Sequence, residues 1–201
     1  MTLIKNLPCA AGIGGGSSDA AEALRMLSDL WGLSWDVGQS ISPALGGDGM
    51  AAYLAQTCLM RGDGRDVRAA IAPAVPALLV NPNVPCPTAA VYDRFDEQGG
   101  GSEFALTKLP KFDSPSRFIK WLKDRTRNDL EPPAVSLVPE IANVLKALEV
   151  TDGCQLARMS GSGATCFGLF ATMAEARAAE EIVSEKYSDW WVKVSMLGGV
   201  R

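Results

Sequence analysis

Histidine is absent from the 201-residue chain. That removes Cys–His zinc sites, Ser–His–Asp triads and imidazole general bases together. No run approaches the roughly 18 apolar residues that span a bilayer. The start, MTLIKNLPCAAG, lacks the charged and long apolar stretches of a signal peptide, so a cytoplasmic protein is expected. Cysteine is sparse: Cys9, Cys58, Cys86, Cys154 and Cys166 are scattered with no CxxC pair, as reduced thiols buried as small apolar side chains are. Positive charge is not in excess either. Nineteen Lys and Arg against 23 Asp and Glu give a net charge of -4, with no general attraction for nucleic acid or anionic lipid. What remains, with 47% hydrophobic residues, is a globular chain long enough to bury a core in one domain or two small ones.

Punctuation and periodicity divide the chain. Residues 2–7 read as a short strand leading into a glycine-rich turn, with a helix over 19–31 after it. Ala20, Ala23, Leu24, Leu27, Leu30 and Trp31 fall at helical spacing there, and Gly32 is placed to end it. Residues 41–49 read as a loop, and Gly62-Asp63-Gly64 marks a hairpin turn. The proline-rich stretch Pro73 to Pro76 is the expected domain boundary, giving domains 1–76 and 77–201. Beyond it, strands are expected over 77–80, 155–159, 165–170 and around Val192 to Met196. Helices are expected over 116–123, 139–148 and 174–186, and Gly99 to Ser102 reads as a surface loop. Strands, helices and hairpins mix, so the class is α+β.

The densest chemical signal is Pro8-Cys9-Ala10-Ala11-Gly12-Ile13-Gly14-Gly15-Gly16-Ser17-Ser18-Asp19, running directly into the first helix. A helix N-terminus offers unpaired amides and partial positive charge to an anion. Glycines let the backbone approach phosphate oxygens without a Cβ in the way, and serine hydroxyls can donate to phosphate or ligate magnesium. No lysine follows the glycines, which excludes a Walker-type P-loop, and Ser17 or Asp19 stands where a dinucleotide fingerprint needs its last glycine. A plain turn with Asp19 as N-cap and Glu22 completing a capping box would explain those two acids. It leaves three consecutive glycines and two serines unexplained.

Other positions carry weaker signals. Asp48, between Gly47 and Gly49, is a tight turn or an open carboxylate. Ser160-Gly161-Ser162-Gly163 joins two expected strands and does not satisfy GxSxG, so no hydrolase elbow is supported. Thr88, in Pro85-Cys86-Pro87-Thr88-Ala89, reads first as a helix N-cap. Arg117, Lys120, Lys123, Arg125 and Arg127 around Trp121 read as a solvated helix face.

The segment LPCAAGIGGGSSDAA closely resembles the second motif of the GHMP kinases, the family of galactokinase, homoserine kinase, mevalonate kinase and phosphomevalonate kinase. The likeness runs through nearly the whole chain: Arg61-Gly62, Asn81-Pro82, Asn128-Asp129-Leu130-Glu131 and the run from Met159 to Phe167 match family landmarks. They are most like those of its 4-diphosphocytidyl-2-C-methyl-D-erythritol kinase branch. The resemblance implies a two-domain α+β fold, with a shortened ribosomal-protein-S5-like first domain and a ferredoxin-like second one. It also implies ATP with Mg2+ and a small-molecule alcohol substrate, and it leaves a homodimer open. By the same resemblance, residues 8–18 bind the nucleotide and Ser18 helps ligate the metal. Asp48 is the catalytic carboxylate, although Gly47, Gly49 and Met50 replace the usual alanine, valine and proline around it. Gly161, Ser162, Gly163 and Thr88 border the substrate.

Family members carry a segment ahead of the glycine motif that supplies a lysine near the aspartate; here Met1 stands almost at the motif. Lys5, assigned to the strand, is not expected to replace that lysine. Another GHMP kinase, or a non-catalytic nucleotide-binding remnant, is the alternative.

Overall fold

The computed structural model describes residues 2–101, 106 and 108–199. Ser102, in the expected surface loop, lies outside them. In the N-terminal part, α1 (Gly15–Trp31), α2 (Trp35–Ile41), a 3-10 turn (Ser42–Leu45) and α3 (Gly49–Leu54) pack around one large buried side chain, Tyr53. The Tyr53 hydroxyl donates to Trp35 O at 3.3 Å. The Arg25 guanidinium donates to Ala52 O and Tyr53 O at 3.1 and 2.7 Å, tying α1 to α3. β1 (Cys58–Arg61) and β2 (Asp66–Ala69) then form an antiparallel hairpin, with Met60 opposite Val67. Its turn packs on the loop before α3: a Cβ on Gly64 (φ +88) would run into Gly47 O. Glycine is therefore required at the contact that supports the Asp48 loop.

The second part is a four-stranded antiparallel sheet covered by helices. β3 (Val75–Asn81) is followed by α4 (Thr88–Glu97), α5 (Pro115–Arg125), α6 (Glu131–Leu137) and α7 (Glu140–Glu149). β4 (Leu156–Met159), β5 (Cys166–Leu169), α8 (Met173–Lys186) and β6 (Trp191–Leu197) complete it. The strand order β4-β5-β3-β6, all neighbours antiparallel, is that of a ferredoxin-like fold. β3 is buried along nearly its whole length, as a strand flanked on both edges and covered by helices must be. Ile141, Val144 and Leu148 on α7 and Ala176, Ala179 and Val183 on α8 fall at three- and four-residue spacing. They close the core over Leu78, Val80, Met159, Cys166 and Phe170. α8 starts at a capping box: Glu175 N donates to Thr172 Oγ1 at 3.2 Å, and Thr172 N donates to Glu175 Oε2 at 2.9 Å.

Several expectations change. Residues 2–6 form no strand; they pair with no neighbouring strand, and a lone extended segment gains no ladder. The first helix begins at Gly15, four residues before the expected start at residue 19. Gly14 (φ 65) is its N-cap and the glycines are its first turn. Asp19 is therefore inside the helix and there is no Asp19–Glu22 capping box. Each helical glycine costs about 1 kcal/mol against alanine, a local cost that the packing of α1 on α3 offsets. Residues 41–49 are not one loop. Pro43 fits the first turn of the 3-10 segment, where its missing N–H is not needed. The proline-rich stretch runs into β3, which begins at Val75.

Candidate functional site

The N-terminus of α1 opens into a cavity of ≈ 510 Å³ between the two parts of the molecule. Four segments line it: the glycine loop from Pro8 to Ser17, Asp48 at the N-cap of α3, Thr88 and Tyr92 on α4, and Gly161 and Ser162 between β4 and β5, with Lys5 beside them. Residues distant in sequence thus converge on the mouth of one helix. Among the described residues, no carbonyl or side chain accepts a hydrogen bond from the amides of Gly12 to Ser17. The first inward amide is that of Ser18, which donates to Gly14 O at 2.9 Å. Unpaired amides at a helix N-terminus can receive an anion.

The glycine loop is held from behind by residues 160–163. Ser160 Oγ donates to Gly12 O at 2.8 Å, and Thr165 N donates to Ala11 O at 3.2 Å. A Cβ on Gly12 (φ +70) would stand 2.5 Å from Gly163 O and 2.7 Å from Ser160 O. Only glycine allows this backbone-on-backbone approach. The residues of the second loop are themselves anchored. Thr88 Oγ1 and Ser162 Oγ lie 2.8 Å apart, Cys86 Sγ donates to Ser162 O at 3.2 Å, and buried Asn81 Nδ2 donates to Thr165 Oγ1 at 2.9 Å.

Asp48 lines the same cavity from the N-cap of α3. A Cβ on Gly14 would stand 3.4 Å from Asp48 Oδ2, so the carboxylate faces the start of α1. It carries no ion pair among the described residues. Its negative charge is felt by Cys58, whose thiol is pushed above the ordinary value first by burial and then by Asp48. Lys5 Nζ lies against Gly15 and is ion-paired with Asp19. The reason for setting Lys5 aside fails with the strand. Its ammonium is the cation present at the cavity among the described residues.

Of the sequence-derived site residues, Pro8 through Ser17, Asp48, Thr88, Gly161 and Ser162 come together here. Gly163 lies just behind, buried against Met159 and Ile141. Ser18 lies in a separate groove with Asp19, Glu22 and Arg25. Thr88 is not an N-cap: Pro87 holds that position, no side chain caps the helix, and the Thr88 hydroxyl meets Ser162 instead. The sequence reading missed Lys5, and it missed Tyr92, which stands one helical turn after Thr88 on α4. A second cavity of ≈ 560 Å³ runs along α5 beside Phe112 and Trp121. Two of its cations are already paired, Arg117 with Asp113 and Lys120 with Asp124, both at 2.7 Å, and neither glycine loop reaches it. The α5 charges are a solvated helix face, as expected.

Known proteins are similar to this chain in sequence and fold. The model described as GHMP kinases N terminal domain matches residues 1–55, and that described as GHMP kinases C terminal matches residues 105–189. A 4-diphosphocytidyl-2-C-methyl-D-erythritol kinase from Hyphomonas neptunium is 48% identical over 98% of this chain and 67% of its own length. One from Parvibaculum lavamentivorans is 43% identical over 99% of this chain and 69% of its own. The chain therefore spans about two thirds of the length of these relatives. A crystal structure of 4-(cytidine 5'-diphospho)-2C-methyl-D-erythritol kinase superposes with a TM-score of 0.76 at 31% identity, over 97% of this chain and 69% of that one. A homoserine kinase from Cytophaga hutchinsonii, at 18% identity and a TM-score of 0.68 over 96% of this chain and 67% of that one, shares the fold. The chain belongs to the GHMP kinase family, among its 4-diphosphocytidyl-2-C-methyl-D-erythritol kinases.

Proposed function

We propose that the chain transfers the γ-phosphate of ATP to the 2-hydroxyl of 4-diphosphocytidyl-2-C-methyl-D-erythritol, a step of non-mevalonate isoprenoid precursor synthesis. The observation that carries this reading is the row of unpaired amides from Gly12 to Ser17 lining one cavity together with Asp48. Phosphoryl transfer asks a protein mainly for position and charge neutralisation. The amides and the dipole of α1 hold the phosphate oxygens, the Ser17 hydroxyl adds a donor, and Lys5 adds a positive charge once it leaves Asp19. The bond from the γ-phosphorus to the ADP oxygen breaks as a bond from the substrate oxygen forms. The alcohol's proton passes to the Asp48 carboxylate, the role a chain without histidine has to give to an acid. Thr88, Tyr92, Gly161 and Ser162 form the wall on which the alcohol substrate rests. A division just ahead of β3, which begins at Val75, then separates a phosphate-holding domain from a substrate-facing one.

Magnesium fits only as part of the incoming nucleotide complex. Among the described residues no three Asp, Glu, Cys or His side chains gather into an ion site, and Asp48 is the one carboxylate in the cavity lining. Magnesium bound to nucleotide phosphates keeps several waters and needs few protein ligands. Ser18, on the far side of the first turn, is a poorer partner for it than Ser17. No helix among the described residues is long and apolar enough to cross a membrane.

The test is a coupled ADP-release assay with ATP, magnesium and the diphosphocytidyl alcohol, run beside homoserine and mevalonate. Turnover with the first substrate alone is the expected result. ATP binding without turnover on any substrate would reduce the chain to a nucleotide-binding remnant.

A further inference from the structure

We propose that Asn128 is a positioning residue: it sets the second glycine loop so that Ser160 holds the phosphate loop in its open, anion-ready shape. This rests on the nucleotide-binding reading above. Asn128 precedes α6, and its side chain does not reach the cavity. Its amide Nδ2 donates to Met159 O at 2.9 Å and to Gly161 O at 2.8 Å, the carbonyls on either side of Ser160. Its Oδ1 accepts from Leu130 N at 3.0 Å. With both donors and the acceptor engaged, the orientation of the amide is fixed by its partners. Ser160, clamped between those carbonyls, donates to Gly12 O across the interface at 2.8 Å.

A second residue of the same segment braces the same place. Glu131 Oε2 accepts from Met159 N at 2.7 Å. Asn128 and Glu131 thus hold the main chain at residues 159–161 through three hydrogen bonds. The clamp is directional. A carboxylate at position 128 has the same shape and can still accept from Leu130 N, but it presents oxygens to two carbonyl oxygens and has no donor for either. Residues 159–161 would then be free to shift, and with them the only side chain, among the described residues, that hydrogen-bonds to the glycine loop at Gly12. The Asn128-Asp129-Leu130-Glu131 segment thereby acquires a physical task at a site it does not touch.

The experiment compares the full chain with N128D, S160A and the double variant, using amide hydrogen exchange and calorimetric titration with ATP and magnesium. The Thr165 amide, bonded to Ala11 O across the interface, reports the coupling without any ligand. In N128D it should exchange at least tenfold faster, while the Leu78 and Val80 amides of the central strand keep their protection. ATP affinity should fall about tenfold in N128D and in S160A, with no further loss in the double variant, because both changes break one linkage. Three results would overturn the proposal: unchanged Thr165 exchange in N128D; loss of protection at Leu78 and Val80 to the same extent, which marks a merely structural role; or ATP losses that multiply in the double variant. If the unmodified chain binds no ATP, the exchange data judge Asn128 alone and the nucleotide reading fails separately.

Discussion

The two walls of the cavity come from regions of unlike construction. From Val75 onward the chain wraps a sheet whose core includes Leu78, Val80, Ile141, Val144, Leu148, Met159 and Phe170. Up to Ala72, the buried apolar side chains among the described residues are Ala11, Ala21, Tyr53 and Ala72. Ile4, Leu30 and Trp31 there are 78%, 75% and 65% exposed. The sparsely packed region carries the phosphate loop and Asp48. The densely packed one carries the loop that holds the glycine loop, through Ser160 and the close approach of Gly12, while the Asp48 loop rests on the hairpin at Gly64. A site of this kind draws its precision from the neighbour rather than from its own core, because few buried contacts fix the groups that meet the ligand.

The sharpest way to break that contrast is chemical. Asp48→Asn removes the proposed proton acceptor and should lower kcat by about 10²- to 10⁴-fold, while ATP affinity stays within about threefold. Equal losses in both would mean that Asp48 serves the fold of its loop. Gly12→Ala attacks the interlock: its Cβ meets Gly163 O and Ser160 O in a left-handed conformation that alanine avoids. It should weaken ATP binding by about 100-fold and cost about 1–3 kcal/mol of stability by overpacking, measured by titration and chemical denaturation.

Packing then separates the regions. Ile141→Ala, in the sheet core, should cost about 2–5 kcal/mol. Leu30→Ala, on the exposed face of α1, should stay within about 0.5 kcal/mol. Comparable costs would contradict the difference in construction. The smallest effect is at Cys58. Burial and the nearby Asp48 charge both raise its pKa, so it holds less thiolate at a given pH than an ordinary cysteine. Removing the charge in Asp48→Asn lowers that pKa, and iodoacetamide at pH 8 should label Cys58 about twice as fast. No change would place the carboxylate farther away than the structure has it.

How much of this was legible in the sequence follows the same division. Where apolar periodicity was long, as in α7, α8 and β3, the elements stand close to where spacing puts them. The hairpin turn at Gly62-Asp63-Gly64 was readable from its glycines. The failures concentrate in short or punctuated elements. α3 is only six residues, too few for a period to declare itself. α6, for which no element was expected, carries Pro132 and Pro133 in its first turn, a position where proline is tolerated. Residues 2–7 read as a short strand although Lys5 and Asn6 weaken the alternation, and a sequence pattern does not show whether a pairing partner exists. The glycine loop stood out from its composition alone. Asp48 needed a family likeness beside its glycines, and Lys5 and Tyr92 needed coordinates, since nothing in a one-dimensional pattern brings residue 5, 48 or 92 to the mouth of one helix. Ser18 sits beside Ser17 in sequence yet lies in a different groove, because successive helix positions turn by about 100°.

The most direct measurement is a two-dimensional amide NMR titration of the full chain with ATP and magnesium. The amides of Gly12, Gly14, Gly15, Gly16 and Ser17 should show the largest shifts, saturating together, with those of Lys111 to Arg125 unmoved. Saturable shifts confined to Lys111 to Arg125, or none at the glycines at millimolar nucleotide, would contradict the assignment of the α1 mouth as the triphosphate site.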